Sequence, residues 1–336
     1  MVREFGTFCL IAAVCVATIF ALLARAQQHP ERTSENPATA SSSGSTHSAA
    51  TPVQQWRPVR PSTPPPQRQP AVAQPVVQAP DYEAHVAKLR KSLQGTGHTV
   101  LIEKPFVVIG NQKPSEVKRW SEGTIRWATT KLKKEYFKKD PDRIIDIWLF
   151  KDAKTYKQGT KALVGYEPNT PYGFFMSSKD VLVMNISTGG GTLVHEIVHP
   201  FIEANFPDCP SWFNEGLASL YEQSSERNSK IMGLTNWRLR GLQFAIHDGD
   251  LGSFKKLTST TTREFYDGDS TNYAQARYLC YFLQERGVLQ DFYKSFVANQ
   301  KTDPTGIETL KSILKTEDLE GFQTKWEEWI LTLRFP

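Results

Sequence analysis

The first strong pattern along the chain is an uninterrupted apolar run from Phe8 to Leu23, preceded by Arg3 and followed by Ala24-Arg25-Ala26 and polar Gln27 and Gln28. A positive start, an apolar stretch and a small-x-small site form the layout of a secretory leader. The run has 16 residues, short of the ~20 a helix needs to cross a bilayer. Residues 1–26 are therefore expected to be a signal peptide or a retained membrane anchor, and both readings export the rest. Periodicity then disappears. Residues 27–80 hold 11 of the 21 prolines, with runs such as SSSGSTHS and RPSTPPPQRQP. Such a segment buries too little apolar surface to offset the entropy of ordering it. It predicts a disordered or polyproline-like linker, a spacer following the export segment.

Regular patterning returns at Asp81 and continues to Pro336. Asp81–Leu93 reads as a helix, His98–Glu103 and Phe106–Ile109 as short strands, and Ser115–Phe137 as a long amphipathic helix,. Arg143–Phe150 is an apolar strand and Asp152–Thr160 a helix. Tyr172–Met176 and Val181–Ile186 predict a hairpin across SSKD,. After Gly189-Gly190-Gly191 the pattern turns helical and stays so. The predicted helices are Thr192–Asn205, Ser211–Gln223, Asn236–Ile246, Asn272–Arg286, Asp291–Ala298, Gly306–Lys315 and Asp318–Leu333,. Strands mostly first and helices afterwards predict an α+β domain with an N-terminal sheet lobe and a helical C-terminal lobe.

Composition narrows the function classes. A mean hydropathy of −0.42 excludes a polytopic membrane protein. The net charge of +5 does not indicate a nucleic-acid binder. Residues 1–80 carry 6 Lys/Arg and 3 Asp/Glu, so the region from 81 onward carries 34 against 32 and has no basic excess,. Four cysteines, two of them inside the apolar run, are too few for a disulfide scaffold,.

The chemistry sits where the two lobes join, in His195-Glu196-Ile197-Val198-His199. With 7 histidines in 336 residues, chance puts H-E-x-x-H in about one chain of this size in 100. On a helix, residues four apart differ by only ~40° in azimuth and ~6 Å in rise, so His195 and His199 can grip one ion. A catalytic Zn²⁺ takes three protein ligands and leaves a position for water, so one more ligand is needed. Glu215, in SWFNEGLAS beyond the turn-forming PDCP, is the candidate,. Ser211 is expected to cap its helix. Glu196, offset by ~100° from His195, is the candidate base. Pro200, directly after His199, predicts a bend at the site.

HEIVH, followed 16 residues later by the Glu of WFNEGLA, resembles the gluzincin metallopeptidases. More narrowly it resembles the peptidase-MA-like family of exported bacterial proteins. The resemblance is strong over Gly189–Glu222. It implies a zincin-like domain over 81–336 with the active-site helix between the lobes. It also implies one Zn²⁺ held by His195, His199 and Glu215, with Glu196 as base, and hydrolysis of a peptide or protein substrate. An oxyanion donor from the helical lobe is implied as well, with Tyr273 the better match and Tyr278 the other candidate. By the same resemblance, strand Val181–Ile186 is the edge that binds extended peptide by β-addition. Thermolysin-like members carry an Asp four residues after the ligand Glu to orient a histidine. Here that position is Ser219, which leaves the orienting residue open.

Weaker features read as structure. The three glycines give a tight strand-to-helix junction, with anion cradling the alternative. HDGD at 247–250 and DGD at 267–269 complete no calcium loop,. Cys209 and Cys280 are either a disulfide or two buried thiols. Two functions from different classes stand: a zinc endopeptidase, and an exported, tethered binding protein that keeps the fold without proteolysis. No aminopeptidase-type acidic motif is present, and the intact Glu196 favours the first.

Overall fold

The structure is a computed structural model and describes residues 79–268 and 270–335. The expected leader or anchor over 1–26 lies outside the described residues, as does all but the end of the expected linker over 27–80. No helix among the described residues is long and apolar enough to cross a membrane.

Helix α1 (Tyr82–Ser92) starts where the Asp81 carboxylate accepts from the Ala84 amide at 3.0 Å. Strands β1 (Thr99–Glu103), β2 (Phe106–Gly110), β3 (Ile145–Phe150), β4 (Gly173–Met176) and β5 (Val181–Asn185) form one mixed sheet in the order β1-β2-β3-β5-β4. The central pairs β2–β3 and β3–β5 are parallel, and the outer strands β1 and β4 are antiparallel. Alternation sorts the apolar residues to two faces. Phe106, Val108, Ile147, Leu149, Leu182 and Met184 face the main core. Val107, Ile109, Trp148, Phe150 and Val183 face a smaller one, covered by Val86 of α1 and Tyr156 of α4 (Ala153–Val164).

The expected edge strand is corrected. Val181–Ile186 corresponds to β5, which pairs on both sides. The edge on this side of the sheet belongs to β4, and β1 forms the other edge. The run VLVMN is buried almost throughout, as expected of an interior parallel strand. In β4 only Gly173 is buried and the next three residues are partly exposed.

The predicted helix Ser115–Phe137 is divided into α2 (Pro114–Trp120), a π-helical turn (Ser121–Arg126) and α3 (Trp127–Glu135). The second half of the domain contains α5 (Gly191–Asn205), α6 (Ser211–Leu220), α7 (Arg238–Asp248), α8 (Phe254–Thr258), α9 (Thr262–Asp267) and α10 (Ser270–Glu285). After these come α11 (Leu289–Asn299), α12 (Ile307–Leu314) and α13 (Leu319–Thr332). Here too the expectation of helices alone is corrected. A hairpin, β6 (Ser224–Arg227) and β7 (Lys230–Gly233), interrupts them. Its loop residues Asn228 and Ser229 both have positive φ, at 52° and 60°, the backbone a two-residue hairpin loop requires. Its first strand is mostly exposed, so it carries no apolar alternation to read.

α10 packs along α6. A Cβ at Gly216 of α6 would lie 2.9 Å from the Ala276 carbonyl oxygen. Buried Arg277 of α10 donates from Nε to the Ser219 carbonyl at 2.9 Å. Its other donors reach the Leu220 and Leu234 carbonyls. A cation at the end of α6 suits the helix dipole and ties that end to Leu234, just past β7. Cys209 and Cys280 are free thiols. The HDGD stretch, expected to be a turn, begins as the last two residues of α7, which Gly249 ends at φ 72°.

Candidate metal centre

The fold is α+β, and α5 carries the first two candidate ligands. Leu193, Val194, Ile197, Val198, Phe201 and Ile202 bury this helix in the main core. That burial brings His195 and His199 together, with ring centroids 4.9 Å apart. The helix continues through Pro200 to Asn205. Proline has no amide to donate, so the Glu196 carbonyl loses its partner four residues on.

The start of α5 is sterically exact in a different way. Gly189 has φ 105°, a conformation glycine adopts without cost,. A Cβ on Gly191 would sit 2.2 Å from the Glu222 carbonyl oxygen, and one on Gly190 2.9 Å from the Trp120 ring. The glycines therefore serve close packing at the junction.

Glu215 comes from α6, whose Trp212, Phe213, Leu217 and Leu220 are all buried. Ser211 is the first residue of α6 and not its cap. Pro210 holds the cap position, and the Ser211 hydroxyl donates to Thr262 Oγ1 at 3.1 Å. One ligand atom each from His195, His199 and Glu215 lie within 4.8 Å of one another. These three residues could hold a metal ion. Glu215 Oε2 is buried without a hydrogen-bond partner, although His195 Nε2 is 3.2 Å away. Two imidazoles and a carboxylate are a donor set that suits Zn²⁺.

The electrostatics favour positive charge at this point. Burial pulls the His195 pKa down, but the carboxylates of Glu215 and Glu222 outweigh it and hold the imidazolium up to about 10. Burial pushes the Glu215 carboxyl up, but the two imidazoles and the Tyr266 hydroxyl hold it at about 2. Metal uptake exchanges such a proton for the ion, so affinity rises with pH.

Each candidate ligand has a partner behind it. The His199 Nδ1–H donates to Asn214 Oδ1 at 2.9 Å, which leaves Nε2 to face the site. Tyr266 donates its hydroxyl to Glu215 Oε1 at 2.6 Å. His195 Nδ1 lies 3.2 Å from Glu222 Oε1, without hydrogen-bond geometry. Glu222 is gripped in turn by Arg238, from Nε at 3.1 Å and from the terminal nitrogen at 2.8 Å, and by Asn236 Nδ2 at 3.1 Å. Burial raises the Glu222 carboxyl pKa, but Arg238 and His195 outweigh it and keep the group ionised. The residue behind His195 is therefore Glu222. Ser219 is fully buried with its hydroxyl unpartnered.

Glu222 was missed because only the position four after Glu215 was considered. Seven residues make two turns and fall within ~20° of the starting azimuth, which is the signal that points to it. Glu222→Gln is expected to lower affinity for Zn²⁺, used as the probe ion, by about 10- to 100-fold. Competition with a chromophoric chelator reads this, at a temperature where melting curves show both proteins folded. Unchanged affinity would separate Glu222 from His195.

Glu196 lies in the same cleft and is outside the three-residue cluster. Its Oε2 accepts from the Phe175 amide of β4 at 2.9 Å. Burial raises its pKa and the charge of Glu215 adds to this, while the two histidines and the Phe175 amide oppose it. The cleft measures about 340 Å³. It is lined by the candidate ligands, Glu196, Phe174 and Phe175 of β4, Ser177, Glu203, Tyr266 and Tyr273. Burial, then the charge of Glu215, raises the pKa of both Tyr266 and Tyr273, so both hydroxyls stay protonated donors at neutral pH. Tyr278 is corrected as a candidate donor. It is fully buried, and its hydroxyl bonds to the backbone of Asn236. Tyr266 was the aromatic the sequence reading passed over, because no element was assigned between Ile246 and Asn272, where its short helix lies.

Compared with known proteins, the chain matches no family model, and no curated protein matches it.

Proposed function

We propose that this chain is an exported zinc-dependent metallopeptidase that cleaves internal peptide bonds. One observation carries the reading: two histidines of one helix and a glutamate of the next converge, with a second glutamate beside them but outside that cluster, in a cleft that borders a sheet edge. A sheet lobe whose antiparallel edge strand adjoins the H-E-x-x-H helix, followed by a helical lobe carrying the third ligand, is the arrangement expected of a zincin-like domain. The sequence pattern of residues 1–26 supports export.

In this reading His195, His199 and Glu215 hold the ion. The chemistry zinc supplies when bound is Lewis acidity toward a water and toward the scissile carbonyl. An extended substrate adds to the free edge of β4, whose main-chain groups hold it in line. Glu196 takes a proton from the attacking water and passes it to the departing amine. Tyr273 donates to the oxyanion that develops on the carbonyl, with Tyr266 beside it. Asn214, Tyr266 and Glu222 keep the ligands in register.

The test is a digest of a mixed peptide library by the zinc-loaded protein, read by mass spectrometry, with a chelator-treated control. Cuts at internal bonds, lost with chelator, are the expected result. Trimming from one end only would overturn the endopeptidase assignment. Full zinc with no cleavage of any peptide would favour the tethered binding protein.

A further inference from the structure

The cleft carries one charged side chain that the proposed chemistry does not use. Glu203 lies on α5, four residues beyond His199, about 6 Å further along the helix axis. It lines the cleft together with Ser177 and the two phenylalanines of β4. Its Oε2 accepts from a terminal nitrogen of Arg143 at 2.6 Å and from the Ser177 hydroxyl at 3.0 Å. Neither bond uses Oε1, and the side chain is 38% exposed. Arg143 does not neutralise the group. It also pairs with Asp180, and with Asp142 at 3.7 Å, so one cation serves three carboxylates. None of the described residues lining the cleft is a lysine or an arginine.

We infer that Glu203 is a specificity-determining residue that selects substrates with a lysine or arginine within two positions of the bond cleaved. This rests on the cleft being a peptide-binding site, as proposed above. A peptide advances ~3.4 Å per residue when extended, so a carboxylate ~6 Å beyond His199 along the helix faces a side chain one or two residues from the reacting carbonyl. A long basic side chain suits the wall chemically. Its methylene stem covers Phe174 or Phe175 while its charged head reaches Glu203 Oε1. An acidic side chain at the same place meets a negative group that Arg143, shared among three carboxylates, only partly compensates.

The test uses binding, so that it does not depend on turnover. Fluorescein-labelled peptides of one neutral sequence, with a single Lys, Gln or Glu scanned along it, are titrated against the zinc-loaded full chain carrying Glu196→Gln. At one or two positions Lys should bind roughly 5-fold tighter than Gln, the size of a partly exposed ion pair, and the difference should shrink in high salt. Adding Glu203→Gln should erase the preference, whereas adding Arg143→Gln should widen it. A role in holding the fold together would not move the two variants in opposite directions. Zinc stoichiometry checks that each variant keeps its site. Equal affinity for Lys and Gln peptides, no binding by any peptide, or a preference that survives Glu203→Gln would overturn the inference. A Lys preference in binding without cleavage by the unaltered protein would leave Glu203 as the selector of basic peptides in the cleft and defeat the peptidase reading.

Discussion

On the proposed mechanism, Glu196→Gln is expected to lower peptide hydrolysis by about 10²- to 10⁴-fold, the range that general acid–base groups contribute, with zinc expected to stay stoichiometric. The substitution preserves shape. The amide oxygen of Gln still accepts from the Phe175 amide, which meets Glu196 at 2.9 Å. Glu196 is not in the three-residue cluster, so its charge is not needed to hold the ion. It is also buried, and burial disfavours its ionised form. Neutralising it therefore leaves the melting temperature unchanged or slightly higher. Hydrolysis is read with the peptide library and metal content by elemental analysis. Equal hydrolysis by both proteins would remove Glu196 from the mechanism. Loss of zinc in the variant would make Glu196 part of the coordination shell.

His195→Ala carries the second large effect. Zinc affinity is expected to fall by more than the ~100-fold of an outer-shell change, because the variant would lose one of the three candidate ligands outright. It also separates Glu222 from the site, leaving that carboxylate to Arg238 and Asn236 alone. Elemental analysis after dialysis against metal-free buffer should find the variant nearly empty, with His247→Ala as a control. His247 lies in the last turn of α7 and does not line the cleft. Stoichiometric zinc in His195→Ala would contradict the ligand assignment.

Much of this site was legible in the sequence because its geometry is local. Four residues on a helix fix the relation of His195 to His199, and an apolar helix after a short proline-bearing loop brings Glu215 back to them. The strands β2, β3 and β5 were legible as apolar runs. What could not be read depends on long-range order. Nothing local states that β4, later paired outside β5, takes the edge. The almost wholly apolar composition of VLVMN is the one hint that β5 is interior. The β6–β7 hairpin escaped because Ser224–Arg227 faces solvent and pairs through its backbone, leaving no pattern in its side chains. Glu222 escaped although the predicted helix Ser211–Gln223 contained it, because only the position four after Glu215 was weighed; the observed helix ends at Leu220. The helix predicted over Ser115–Phe137 was right in extent and wrong in regularity. The π turn adds a residue to the ladder where SEGTIR shows no break,.

The contact between Gly191 and the Glu222 carbonyl oxygen leaves no room for even a methyl group between the first residue of α5 and the segment behind His195. The start of α5 and the segment behind His195 thus abut at this point and cannot approach each other further. The give that the proposed binding of a peptide would require is expected in the opposite jaw, where β4 is held along one side only.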